Sequence, residues 1–251
     1  NKAKQLIDKA NVAFGDKEFD KARKLLREAN EMQIDSLTFQ LKEEMEKVDK
    51  RHAKLWANEA EDALQEGDCK AAFAQLASPM RDLESDVFDK ELRKNVGSAL
   101  VKCLQGKLDS LTGSGNYAAA RKMMLDDDVK TVLGPGAHKK MLTTLEEGIL
   151  EALKAGISEP ISAKRWVDAM RVVDDAAKNG ETSAEGAKVL LGLVRQGITP
   201  EVAGLAQRNV GQRDAAKALG DVDSLIKLAG WESFFPGTAR APKNAPRLAI
   251  A

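Results

Sequence analysis

Three stretches of this chain hold residues whose types and spacing raise the question of chemistry. Asp126-Asp127-Asp128 offers consecutive carboxylates to a cation. A calcium loop instead sets its carboxylates at alternating positions, with a glycine and a distal glutamate at fixed offsets, so this run reads as a solvated helix end. Thr112-Gly113-Ser114-Gly115 has the glycines of a phosphate loop. The Gly-Lys-Ser/Thr that should follow and the strand that should precede are both missing, so no nucleotide is expected there. Cys69 and Cys103, with His52 and His138, are the only cysteines and histidines, and they do not stand at zinc spacing. The two cysteines are expected as small buried thiols in a reducing compartment, with a disulfide as the alternative, because two cysteines make no disulfide framework in a chain of 251 residues. With no nucleophile motif, metal set or cofactor loop, no catalytic, cofactor or metal residue is assigned and no enzymatic activity is expected. An enzyme or carrier with an interhelical pocket would have to use dispersed carboxylates and lysines.

Composition sets the frame that any such residues must sit in. Lys+Arg and Asp+Glu both total 39, giving zero net charge although 31% of residues are charged. That describes a solvated surface of interleaved signs rather than the basic excess of a nucleic-acid binder, so neither DNA nor RNA is expected as a partner. Aromatics are 4% of the chain, and the β-branched residues are scattered rather than gathered into strands. Leu, Ala, Val and Met at helical spacing predict an all-α protein. No apolar run approaches the ~18 residues of a membrane span. A soluble chain is therefore expected, in an intracellular compartment if the cysteines are free. A start at Asn1 rather than Met is expected of a fragment or a processed form.

The elements are organised by a glycine turn leading to a small-residue helix start. Gly113-Ser114-Gly115-Asn116-Tyr117 leads to Ala120, Gly15-Asp16 to Ala22, Gly67-Asp68 to Ala74, Ser162-Ala163 to Ala169 and Gly211-Gln212 to Ala218. Frames opening at residues 15, 67, 113, 162 and 211 lie 52, 46, 49 and 49 residues apart. Such a period predicts antiparallel helical hairpins, stacked as a short right-handed solenoid or an irregular array. Gly15-Asp16 with Phe19 to Ala29, and Gly115 to Lys122, resemble the turn and second helix of a tetratricopeptide-type repeat. The longer period, against about 34 residues in that family, widens the resemblance to helical-hairpin repeats in general. Members of that class mostly dock peptides or partner proteins, which the resemblance implies here.

Along the chain, Leu6 to Ala13 give a helical face, and Phe19 to about Asn30 an amphipathic partner helix. Ile34, Leu37, Leu41, Met45, Val48, His52 and Leu55 form a seam on a long helix from about Ser36 to Glu66. The seam is expected to bury within the chain, with His52 packed or at its rim. The intervening charges, Lys42 to Glu44, Glu46, Lys47 and Asp49 to Arg51, read as solvated. Ser78-Pro79 should end the next helix, and Asp86 should cap the one after, where Gly97 and Gly106 mark close approaches or irregularities. Gly134-Pro135-Gly136 reads as a turn, followed by a helix ending near Gly156. Ser162 precedes a Trp166 helix closed by Asn179-Gly180. Thr182 to Glu185 reads as a capping box, and Thr199-Pro200-Glu201 as a further helix start.

These boundaries divide the chain into a helical-hairpin array with long helices over 1–160, its continuation or a small bundle over 161–230, and an aromatic, proline-rich basic tail or linker over 231–251. Trp231, Phe234 and Phe235 in the tail are candidate partner-binding residues. The leading expectation is a non-enzymatic scaffold or adaptor for a peptide or protein. The alternative is a structural subunit joined to a larger assembly through the long helix or the tail, with self-association left open.

Overall fold

The structure, a computed structural model, describes residues 2–210. Among them all regular structure is helical: α1 (Lys2–Gly15), α2 (Phe19–Asn30), α3 (Thr38–Gln65), α4 (Cys69–Leu83), α5 (Asp86–Gly113), α6 (Tyr117–Met124), α7 (Asp127–Ser162), α8 (Trp166–Lys178) and α9 (Ala184–Val210), with one 3-10 turn, Asp35–Leu37. No described helix is long and apolar enough to cross a membrane. Of these residues, 2–114 and 122–141 form one compact unit and 115–121 with 142–210 belong to a second. In the first unit α1 packs on α2, α2 on α3, and α3 on both α4 and α5; in the second α8 packs on α9.

The recurring turn is present, with its left-handed residue two positions after the predicted frame start in three cases and on it at Gly67. Lys17, Gly67, Gly115 and Lys164 have φ of 62°, 75°, 75° and 60°, and they stand 50, 48 and 49 residues apart. In three of the four turns the residue after the left-handed one donates its N–H five residues back: Glu18 to Ala13, Asp68 to Ala63 and Arg165 to Pro160, at 2.8, 2.9 and 2.8 Å. In the same three turns the left-handed residue donates three residues back, completing a Schellman closure. The residue after the left-handed one also starts the next helix, its carbonyl accepting from Ala22, Ala72, Ala120 and Ala169. All four alanines are completely buried, because only a small side chain lets the new helix lie against its neighbours. The predicted Ala74 is therefore replaced by Ala72, and Ala74 is exposed. The frame at Gly211 and Ala218 lies outside the described residues.

The first unit closes around Ile7, Leu26, Phe73, Leu76, Phe88, Leu92, Leu100 and Leu104, all essentially inaccessible. The seam of α3 is covered by its own unit: Leu37, Leu41, Val48 and His52 are buried, while Ile34, Met45 and Leu55 pack half-buried on the same core.

Several local expectations are corrected. Helix α4 runs through Pro79 to Leu83. The proline costs one backbone hydrogen bond, but Pro79 and Met80 are buried beside Leu76 and Ala77, and the helix closes only at Glu84, where φ is 48°. Ser85, rather than Asp86, caps α5 by accepting from the Phe88 N–H. That helix passes through Gly97 and Gly106 without a break, and no neighbour crowds either glycine. Helix α7 continues past Gly156 to Ser162 and is interrupted only at Gly134, with φ 74° and ψ 162°. Arg93 fixes that interruption by donating to the carbonyls of Val132 and Thr131 at 2.9 and 3.1 Å. Ser183, rather than Thr182, caps α9 through the Gly186 N–H. That helix also runs on through Pro200 with no fresh start.

Candidate functional site

Among the described residues, those singled out by the sequence do not assemble into a site. Trp231, Phe234 and Phe235 lie outside the described residues. Asp126 caps the start of α7, its carboxylate accepting from the Asp128 N–H at 2.9 Å, and Asp128 pairs with Arg81 at 2.8 Å. No group of three His, Cys, Asp or Glu among the described residues is placed to hold a metal. His138 Nε2 lies 2.6 Å from the Met124 carbonyl, which fixes the tautomer with the proton on that nitrogen.

Cys69 and Cys103 are joined in a disulfide with Cα atoms 5.8 Å apart. The expectation of two thiols is overturned because the packing of α4 on α5 brings the first residue of α4 opposite Cys103. Persistent disulfides belong to oxidising compartments, so the reducing, intracellular setting loses its basis.

What the fold does assemble is a polar cluster inside the first unit. Phe19, Ala22, Leu26 and Ala29 form the buried face of α2, and Arg23 falls on that face at 4% exposure. A guanidinium held there needs a counter-charge. Asp49 of α3 supplies it, accepting from Nε at 2.6 Å, while Asp20 accepts from Nη1 at 3.2 Å. The second oxygen of Asp49 accepts from the Ser85 hydroxyl at 2.5 Å. The helix cap of α5 is thereby tied to the α2–α3 ion pair. The Nη2 of Arg23 is buried without a hydrogen-bond partner.

His52 lies at the centre of the cluster. Its ring stacks on Phe19 with centroids 4.6 Å apart, and it meets the Phe88 ring edge-on at 5.8 Å. Arg23 Nη1 faces its Nδ1 at 2.8 Å and the Trp56 indole N–H faces its Nε2 at 3.0 Å. Burial, followed by the Arg23 charge, lowers the His52 pKa from 6.5 to about 4. The ring is neutral and packed near neutral pH.

A groove opens beside this cluster between α2, α3 and the start of α5, with a volume of about 370 Å³. Leu26, Leu41, Met45 and Val87 give it an apolar floor, Asp49 and Ser85 reach it from the cluster, and Arg27, Asn30, Thr38, Lys42 and Glu46 form its polar lining. Such a cleft, apolar below with convergent polar groups above, suits a bound side chain. Within it the Ser85 hydroxyl donates to the Asp49 carboxylate.

Asp49 is a correction to the sequence reading, being buried where a solvated charge was expected. The signal was Arg23, a cation in step with the apolar face of α2, but its partner 26 residues on carries no local mark. Comparisons of the chain with protein-family models, curated proteins and solved structures find no match.

Proposed function

We propose that the chain is a non-enzymatic docking scaffold made of tetratricopeptide-like helical hairpins, presenting a helical surface to a peptide or partner protein. One observation carries this reading: the same left-handed turn, with the same fully buried alanine five residues later, recurs at residues 17, 67, 115 and 164. Repetition of one hairpin unit is how helical-repeat proteins generate extended binding surfaces. The groove over Leu26, Leu41 and Met45 adds a place where a partner side chain can be desolvated.

The test is selection of a random peptide library displayed on phage against the immobilised full chain, with the selected peptides remeasured in solution. A shared sequence motif that binds in solution is the expected result. A library from which no sequence rises above background would overturn the reading.

A further inference from the structure

We infer that the groove between α2, α3 and the start of α5 takes an apolar–acidic peptide segment of a partner protein, seating one apolar side chain on the floor and placing its carboxylates against Arg27 and Lys42. The inference rests on the docking reading above and assigns its site and chemistry.

The argument is one of unbalanced charge over an apolar floor. Both carboxylates of the groove are already answered: Asp49 by Arg23 at 2.6 Å, and Glu46 by Lys50 at 3.2 Å. Arg27 and Lys42 line the same groove, are exposed, and form no ion pair within the described residues. An occupant thus meets two such cations while both carboxylates that line the groove are already engaged, and acidic groups gain from such a rim. Below the cations, Leu26 and Leu41 are buried and Met45 is half-buried. The flexible thioether lets Met45 shape itself around an apolar anchor.

Phe39 supplies an independent observation. It is 73% exposed, the most exposed of the large apolar residues described, and it precedes Lys42 and Glu46 by three and seven residues on α3. Helical spacing places those three on one stripe, so an unburied aromatic ring stands on the same side of α3 as Lys42 and Glu46 of the groove. The chain's own residues 236–251 are not the occupant proposed. They carry Arg240, Lys243 and Arg247 and no acid, the wrong sign for this rim.

The experiment is fluorescence anisotropy on the full chain with three labelled peptides of equal length. One is Asp/Glu-rich with a single central Leu, one has Lys in place of every acid, and one keeps the acids with Ser in place of the Leu. The acidic Leu peptide should bind and the other two should not. Arg27→Glu and Lys42→Glu should each weaken it by about tenfold, the double variant should turn preference toward the Lys peptide, and Phe39→Ala should weaken it without altering the charge preference. Lys130→Glu, an exposed change elsewhere in the same unit, should leave binding unchanged. Equal binding of the acidic and basic peptides, indifference to both charge reversals, or no binding of the acidic Leu peptide would each overturn the inference. If library-selected peptides still bind the Arg27→Glu/Lys42→Glu variant as tightly as the parent chain, the groove assignment falls while the docking reading stands. An empty library removes both.

Discussion

Arg23 Nη1 lies 2.8 Å from Nδ1 of His52, while the Trp56 indole nitrogen lies 3.0 Å from the other ring nitrogen. Both neighbours are obligate donors. A neutral imidazole has one lone pair to offer the two of them, and an imidazolium has none. Protonation would therefore break whichever hydrogen bond exists and set a second cation against Arg23.

The pH dependence follows from that geometry. Burial and then Arg23 hold His52 down to about 4, against the opposing pull of Asp20 and Asp49, compared with 6.5 for the free side chain. A histidine lowered by folding stabilises the native state fully above its unfolded value, and that stability is lost as the pH falls from about 6.5 toward 4. The loss approaches about 3 kcal/mol at the acid end. Urea unfolding at a series of pH values between neutrality and mild acid should show it. His52→Gln keeps an acceptor and cannot titrate, so it should flatten this part of the profile. Parallel profiles for the two proteins would remove His52 from the acid response.

The Arg23–Asp49 pair predicts strong non-additivity. Arg23→Met leaves Asp49 buried with its charge uncompensated, and Asp49→Leu leaves Arg23 only the exposed Asp20 at 3.2 Å; breaking such a buried pair costs about 3–5 kcal/mol. Arg23→Met with Asp49→Leu removes both charges and should cost much less than the sum of the single changes. Thermal unfolding followed by circular dichroism measures the cycle. Additive single losses would mean that the two side chains do not act as a pair.

The all-helical class, the length of α3 and the limits of α2 were legible because apolar spacing and the lack of glycine and proline act locally. The seam from Ile34 to Leu55 was legible for the same reason. Helix limits at Pro79 and Pro200 were misread, because a local penalty on proline does not register the tertiary burial or helix continuity that overrides it. The Arg23, Asp49, His52 and Ser85 cluster was not legible as a whole. Its members come from two helices and a helix cap, and only Arg23 breaks the pattern of its own segment. The disulfide likewise depends on how α4 lies on α5, which spacing in the chain does not encode.

Reduction of Cys69–Cys103 should lower stability without abolishing the fold. The bond closes a loop of 34 residues, for which the chain-entropy view gives about 3–4 kcal/mol. Phe73, Phe88 and Leu92 are buried in the same unit, and their apolar burial should hold the fold once the bond is gone. The thermal midpoint should drop in the presence of a dithiol reductant and in Cys69→Ser/Cys103→Ser, and the reductant should have no effect on that variant. An unchanged midpoint in both would show that the bond adds nothing to stability.

Glycines that look equivalent in the sequence should respond to substitution with opposite signs. Gly15 and Gly113 are the last helical residues of α1 and α5, whereas Gly67 and Gly115 occupy the left-handed position of the turn with φ of 75°. No neighbouring atom lies within 4 Å of where a Cβ would stand at any of the four, so backbone conformation decides the outcome. Gly15→Ala and Gly113→Ala should stabilise by up to about 1 kcal/mol, since alanine is the better helix former. Gly67→Ala and Gly115→Ala should destabilise by about 1–2 kcal/mol, the cost of a Cβ in the left-handed region. Lys17 and Lys164 hold that same conformation in their own turns, so Lys17→Gly and Lys164→Gly should stabilise by about 1 kcal/mol through relief of the same strain. Denaturant midpoints for the six variants test the register directly. If Gly15→Ala destabilised as Gly67→Ala does, the turn would follow the glycines rather than residues 17, 67, 115 and 164, and the regular 50, 48 and 49-residue spacing would lose its basis.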